Sequence, residues 1–169
     1  MLDLAEQTKE TVHFGKPEGY YGVFIEKVNS PHTVAVQTRI GTRVPFNRGA
    51  TSKAMMAFLP EYYFKNFCDN FLDDGTENGK KLVEEAIEVR KMVKRQGYVV
   101  TYEEVNPNVA AIAAPVFGFL NQLIGSIAIA GLKDRFPPDV VTSYIPVITQ
   151  ACRKISIQLG ATDLPDVYQ

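Results

Sequence analysis

The chemistry open to this chain rests on few residues. The run Pro45-Phe46-Asn47-Arg48-Gly49-Ala50-Thr51-Ser52-Lys53 leads from a turn into the start of a predicted helix. Gly49 and Ala50 leave the backbone accessible, and the free N–H groups of Ala50, Thr51 and Ser52 can hold an anion such as a carboxylate. The same pattern also serves as ordinary N-capping. Adjacent Glu103 and Glu104 could supply a general base, but neighbours in a strand point to opposite faces, so they read as a solvated strand end. His13 is either a proton shuttle or a hydrogen-bonded structural residue. The chain contains no GxSxG, HExxH, P-loop or GxGxxG pattern. No catalytic residue is assigned, and the chain is not read as an enzyme.

A second feature lies in a charge-free stretch from Val105 to Leu132. Pro107, Pro115, Gly118, Asn121 and Gln122 interrupt it, so it reads as two strands, Val109 to Phe117 and Leu123 to Gly131, rather than a membrane span. Charge-free strands imply a sheet covered on both faces. Alternation puts Ala111 and Ala113 on one face of the first strand, and Ser126, Ala128 and Ala130 on one face of the second. Larger Ile112, Val116, Ile127 and Ile129 point the other way. A face of small side chains leaves room either for a closely packed helix or for a ligand.

Composition sets the outer bounds. The chain has 169 residues, 46% of them hydrophobic and 22% charged, which suits one domain with one core. Lys and Arg number 18 against 19 Asp and Glu, so there is no basic excess for binding nucleic acid directly. Cys68 and Cys152 are far apart and His13 and His32 are the only histidines, which argues against a disulfide scaffold and a metal cluster. No metal or cofactor is expected. The start of the chain carries no signal-peptide pattern, and a reducing cytoplasm fits.

The elements that must position these residues follow from periodicity. Residues 1–10 read as the tail of a helix. Strands are expected over Thr11 to Phe14, Tyr20 to Lys27 and Thr33 to Thr38. Helices are expected over Asn47 to Pro60, over the aromatic-rich Glu61 to Asp74, and over Thr76 to Gln96, which Gly97 stops. Tyr98 to Tyr102 resumes strand, the hairpin follows, and Pro137-Pro138 opens a closing helix to Leu159 in which Pro146 is a strain point. Tyr62, Tyr63, Phe64, Phe67 and Phe71 either pack their helix onto the core or form a subunit contact. The order β-β-β-α-α-α-β-β-β-α is α+β, an antiparallel sheet with helices packed on it.

An ordered set of short segments then resembles a known family. Glu10-Thr-Val-His-Phe14, Gly22-Val-Phe-Ile-Glu-Lys-Val28, Arg39-Ile-Gly-Thr-Arg-Val-Pro-Phe46, Gly49-Ala-Thr-Ser-Lys-Ala54, Ala57-Phe-Leu-Pro60, Arg95-Gln-Gly-Tyr98, Glu103-Glu104, Ala113-Ala-Pro-Val-Phe117 and Ser126-Ile-Ala-Ile-Ala-Gly131 together resemble the effector-binding domain of IclR-family transcriptional regulators. The resemblance implies a GAF-like fold with a curved antiparallel sheet and a small-molecule pocket on its concave side. It implies residues 1–10 as the end of a linker helix, 11–160 as the effector-binding domain and 161–169 as a C-terminal tail. It further implies a homodimer or homotetramer that meets DNA only through an N-terminal winged helix-turn-helix domain missing from this chain, with no membrane partner.

Carried over position by position, the family's carboxylate-holding amides fall on Ala50 and Thr51, beside Ser52. Its apolar wall falls on Val36, Val44 and Val109. Thr101 stands where glyoxylate- and pyruvate-sensing members have an aspartate, Ala111 where they have a cysteine, and Ala128 and Ala130 where they have serines. Losing those polar partners makes glyoxylate and pyruvate poor candidates, since a buried ligand atom without a partner costs about 1–3 kcal/mol. The expected effector is a small carboxylate with an apolar or aromatic body. Arg48 either adds a charge-assisted contact to the acid or is a solvated surface residue. Phe46 either stacks on the ligand or is core. The competing readings are a module that serves only oligomerisation and an enzyme that uses the same pocket.

Overall fold

The computed structural model describes residues 1–162, Leu164 and Tyr168; of the expected tail, Asp163, Pro165, Asp166, Val167 and Gln169 lie outside the described residues. The order is α1 (Leu2–Thr8), β1 (Thr11–Glu18), β2 (Tyr21–Val28), β3 (Arg43–Pro45), α2 (Ala50–Phe58), α3 (Glu61–Phe67, running into a π-helical turn Cys68–Leu72), α4 (Glu77–Gln96), β4 (Val99–Tyr102), β5 (Val109–Phe117), β6 (Leu123–Leu132) and α5 (Pro138–Gln158). Every strand pair is antiparallel, in the spatial order β3-β2-β1-β6-β5-β4. The α+β reading and the GAF-like curled sheet hold.

Local signals explain the strongest elements. Thr76 caps α4 by accepting from the Gly79 N–H, and Gly97 closes it in the left-handed conformation at φ 80°. The long hairpin pairs Ala111 with Ala130, Ala113 with Ala128 and Pro115 with Ser126, so the small residues of both strands share one face. On the opposite face Val12, Ile112, Ile127 and Ile129 pack with Leu4 of α1 and with Ile148 and Cys152 of α5. The closing helix runs unbroken through Pro146.

The small-residue face is divided. Over Ala113 and Ala128 lies α2, whose Ala50, Ala54 and Ala57 face the sheet alanines, with Val93 of α4 in the same cluster. Gly15 of β1 and Gly22 of β2 permit this approach. A Cβ on Gly15 would stand 2.8 Å from the Thr51 methyl, and one on Gly22 would stand 2.6 Å from the Ser52 hydroxyl. The aromatic segment after α2 packs inward: Phe64 and Phe67 are buried and join Phe46, Met55 and Met56, while Tyr62 is exposed.

Two expectations about boundaries fail. The helix expected from Asn47 begins at Ala50, because Gly49 takes φ 71°, ψ 150° and breaks the helical path. The strand expected over Thr33 to Thr38 does not form. The edge of β2 is taken by Arg43–Pro45, through the pairs Tyr21 with Pro45, Gly22 with Val44 and Val23 with Arg43. The segment ahead of it is a strap pinned by side chains. The Thr11 hydroxyl donates to the Val36 carbonyl (3.1 Å), and Arg135 donates to the Val34 carbonyl (3.3 Å).

If α2 seats directly on the alanine floor, Ala128→Leu should lower stability by about 1–3 kcal/mol through overpacking. The urea midpoint should fall with an unchanged slope. A midpoint equal to that of the parent chain would contradict this packing.

Candidate functional site

Beyond the N-terminus of α2 the alanine floor is not covered by helix. A cavity of about 280 Å³ opens there, floored by Ala111 and Ala130, walled by Val36, Val44, Val105, Val109 and Phe24, and bounded by the first residues of α2. Its roof is the strap, through Val36, Gln37, Thr38 and Arg39.

The helix start supplies its main-chain polarity. Gly49 donates its own N–H to the Glu104 carboxylate at 2.8 Å. Among the described residues the N–H groups of Ala50, Thr51 and Ser52 have no acceptor, although all three residues are buried. Their side chains do not compensate, since α2 has no side-chain cap. Buried N–H groups at a helix N-terminus carry partial positive charge and favour an anion.

The side chains around this start are held firmly. Ser52 donates to the Val44 carbonyl (3.0 Å), and Ser126 donates to the Thr51 carbonyl (2.7 Å). The Thr51 hydroxyl lies 2.7 Å from His13 Nε2, and the Thr38 hydroxyl lies 3.3 Å from His13 Nδ1. A tilted contact with Phe24, 4.4 Å between ring centres, completes the imidazole's surroundings. Burial pushes the His13 pKa down from 6.5 to about 4, so the ring is neutral near pH 7. It then carries one donor and one acceptor nitrogen, so one threonine hydroxyl donates to it and the other accepts. Thr101 is 6% exposed, and its hydroxyl has no hydrogen-bond partner among the described residues.

The rim is charged. The Glu104 carboxylate takes Lys53 Nζ at 2.6 Å as well as the Gly49 N–H, and the Glu104 carbonyl accepts from Arg48 Nε at 3.0 Å. Arg39 also lines the opening.

The structure brings together all but two of the positions singled out from sequence: Val36, Val44, Arg48, Ala50, Thr51, Ser52, Thr101, Val109, Ala111 and Ala130 line the one cavity. Phe46 does not; it is fully buried against Phe67, with ring centres 5.6 Å apart, behind α2. Ala128 does not either, because α2 seals it completely. The acidic pair also differs from expectation. Glu103 is a surface group, paired with Lys133 at 2.5 Å. Glu104 is half-buried and ties the strand end to the helix start. His13, Thr38, Phe24, Arg39 and Glu104 went unassigned as site residues. For His13 the available signal was its place on the alternation that carries Thr11 and Gly15, opposite the core-facing Val12. Among the described residues no group of three or more His, Cys, Asp or Glu side chains gathers as a metal site, and no helix is long and apolar enough to cross a membrane.

A family profile described as "Bacterial transcriptional regulator IclR C-terminal" matches residues 1–157. The chain is 30% identical over 167 residues to the HTH-type transcriptional regulator KipR of Bacillus subtilis, covering 96% of this chain and 65% of that protein. It is 30% identical over 166 residues to the HTH-type transcriptional regulator KdgR of Escherichia coli, covering 98% and 63%. The chain therefore spans less than two thirds of the length of these curated relatives. The crystal structure of the C-terminal domain of E. coli KdgR superposes with a TM-score of 0.79 at 29% identity, covering 95% of this chain and 94% of that one. That of Thermotoga maritima IclR superposes at 0.81 with 26% identity, covering 95% and 65%.

The buried histidine has a consequence for stability. Between about pH 6.5 and 4 the unfolded chain binds a proton at His13 that the folded chain does not. Stability from this residue is full above about pH 6.5 and is lost as the pH falls toward 4, by on the order of 3 kcal/mol in all. Chemical denaturation at a series of pH values should show that decline in the parent chain and a flatter profile in His13→Gln. Parallel profiles would show that His13 is not held neutral.

Proposed function

The chain belongs to the IclR family of bacterial transcriptional regulators, over the family's C-terminal domain, and we propose that its cavity receives a small organic acid as a regulatory effector. The relatives it matches are named as transcriptional regulators rather than enzymes, and the domain is read as a sensor. One observation carries the reading. Ala50, Thr51 and Ser52, whose N–H groups have no acceptor among the described residues, line an open volume. In a pocket closed by the protein's own groups those donors would be satisfied internally.

The chemistry sets the ligand class. A carboxylate accepts from the α2 N–H groups, where helix polarity favours it. An apolar or aromatic body rests on Ala111 and Ala130 between the valine walls. The Thr101 hydroxyl is available to one polar substituent. About 280 Å³ lies at the low end of ligand pockets, which run to roughly 300–1,000 Å³, so the molecule is small. Arg48 contributes to the rim mainly by holding the Glu104 carbonyl, and only its net charge reaches the ligand.

The remaining steps belong to the whole protein. Occupancy would bias the arrangement of a homodimer or homotetramer, a shift between populations set by differential affinity. DNA would be met through a helix-turn-helix domain in a part of the protein other than this one, in the cytoplasm where transcription is regulated. A purely oligomerising module is the alternative, and ligand binding separates the two.

A panel of benzoate, phenylacetate, butyrate and valerate, followed by thermal unfolding, tests the reading; at least one acid should raise the melting temperature, by an amount that grows with the logarithm of its concentration above Kd. Ala50→Pro removes one donor at a helix position that tolerates proline, after a Gly49 whose ψ of 150° suits it. It should weaken binding about tenfold or more, the value of one charge-assisted hydrogen bond. Unchanged affinity would place the acid elsewhere. Ala130→Leu should abolish binding while costing little stability.

A further inference from the structure

We propose that this cavity takes up its acid together with a proton that settles on His13, so that occupancy is linked to pH. The inference rests on the organic-acid reading above and concerns how that same site is regulated.

The geometry prepares the imidazole for a second proton. His13 is 4% exposed, and both ring nitrogens face hydroxyls, Thr51 on one side and Thr38 on the other. A hydroxyl oxygen accepts as readily as it donates. The doubly protonated ring would therefore find two acceptors without any heavy atom moving. What it lacks is a counter-charge. No carboxylate touches the ring among the described residues.

The charged groups around it are mostly cations. Lys27 is its partner across the β1–β2 pair, Arg39 and Arg48 line the same cavity, and Lys53 of α2 is held by Glu104. Across the β1–β6 pair stands Ala128, which does not titrate. The one acid at this cavity among the described residues, Glu104, is already held by Lys53 and by the Gly49 N–H. With the cavity empty, burial therefore keeps the ring neutral down to about pH 4.

The acid would supply the missing charge. Its main-chain donors include the N–H of Thr51, the residue whose hydroxyl touches His13. A carboxylate bound there lies within a few ångströms of the imidazole, where an opposite charge raises a histidine pKa. A second observation marks the same cavity as a ligand site independently of the helix start. Thr101, 6% exposed, lines it, and its hydroxyl has no hydrogen-bond partner among the described residues.

The test uses the whole chain and the tightest binder among benzoate, phenylacetate, butyrate and valerate. Affinity should be about tenfold tighter near pH 5.5 than near pH 7.5, a range over which these acids stay largely ionised. Calorimetry near pH 6 in buffers of different ionisation enthalpy should show uptake of a sizeable fraction of one proton. The chain has only two histidines, His13 and exposed His32, so their ring proton resonances can be followed singly. The His13 midpoint should rise by about two and a half units on saturation, the rise that a tenfold difference in affinity requires. Whatever affinity His13→Gln retains should be equal at both pH values. If that variant does not fold, calorimetry and the resonance titration on the parent chain decide. Equal affinity at both pH values, no proton uptake and an unmoved His13 midpoint would overturn this proposal and leave the acid site standing. Failure of every acid to bind would overturn both.

Discussion

Everything in this domain depends on how closely α2 approaches the sheet. Ala50, Ala54 and Ala57 meet Ala113 and Ala128, and Gly15 and Gly22 remove the side chains that would hold the helix away. Close contact of this kind gains dispersion energy and excludes water. It also draws the helix N-terminus below the surface. A helix start left in solvent would satisfy its N–H groups with water. Here those groups are buried, and the small side chains that allowed the approach leave a hollow beside them.

That hollow has an electrostatic character of its own. The helix start and the rim residues Arg39 and Arg48 contribute positive potential, while Glu104 is consumed in fastening the β4–β5 connection to the helix start. The ring of His13 stays neutral because a buried imidazolium without a counter-ion is costly. The site is thus polarised toward anions without a fixed cationic side chain at its base. A main-chain site of this type would hold a carboxylate by direction and polarity, as the proposed effector reading requires.

Much of the scaffold could be read in one dimension. Thr76 and Gly97 mark the ends of α4 because capping is a local matter of a few residues. The hairpin was legible because alternation has a period of two and the turn residues are adjacent. The strap was not. Thr33 to Thr38 alternates like a strand, but a strand exists only where an edge is free, and Arg43–Pro45 occupies that edge. Glu104 was misread for a related reason: its neighbours Lys53 and Gly49 lie more than fifty residues away in the chain.

The sequence by itself determined which residues are small and which face each takes. Those properties concern single side chains and their immediate neighbours, and they fall on Ala50, Thr51, Ser52, Ala111 and Ala130. Only the tertiary structure decided how far α2 slides along the alanine floor. That sliding covers Ala128 and leaves Ala130 lining the cavity, although the two are equivalent by type and by face. It also decided that His13 and Thr38 meet Thr51. Packing of distant segments is a balance of many weak contacts, and no short stretch of the chain records its outcome.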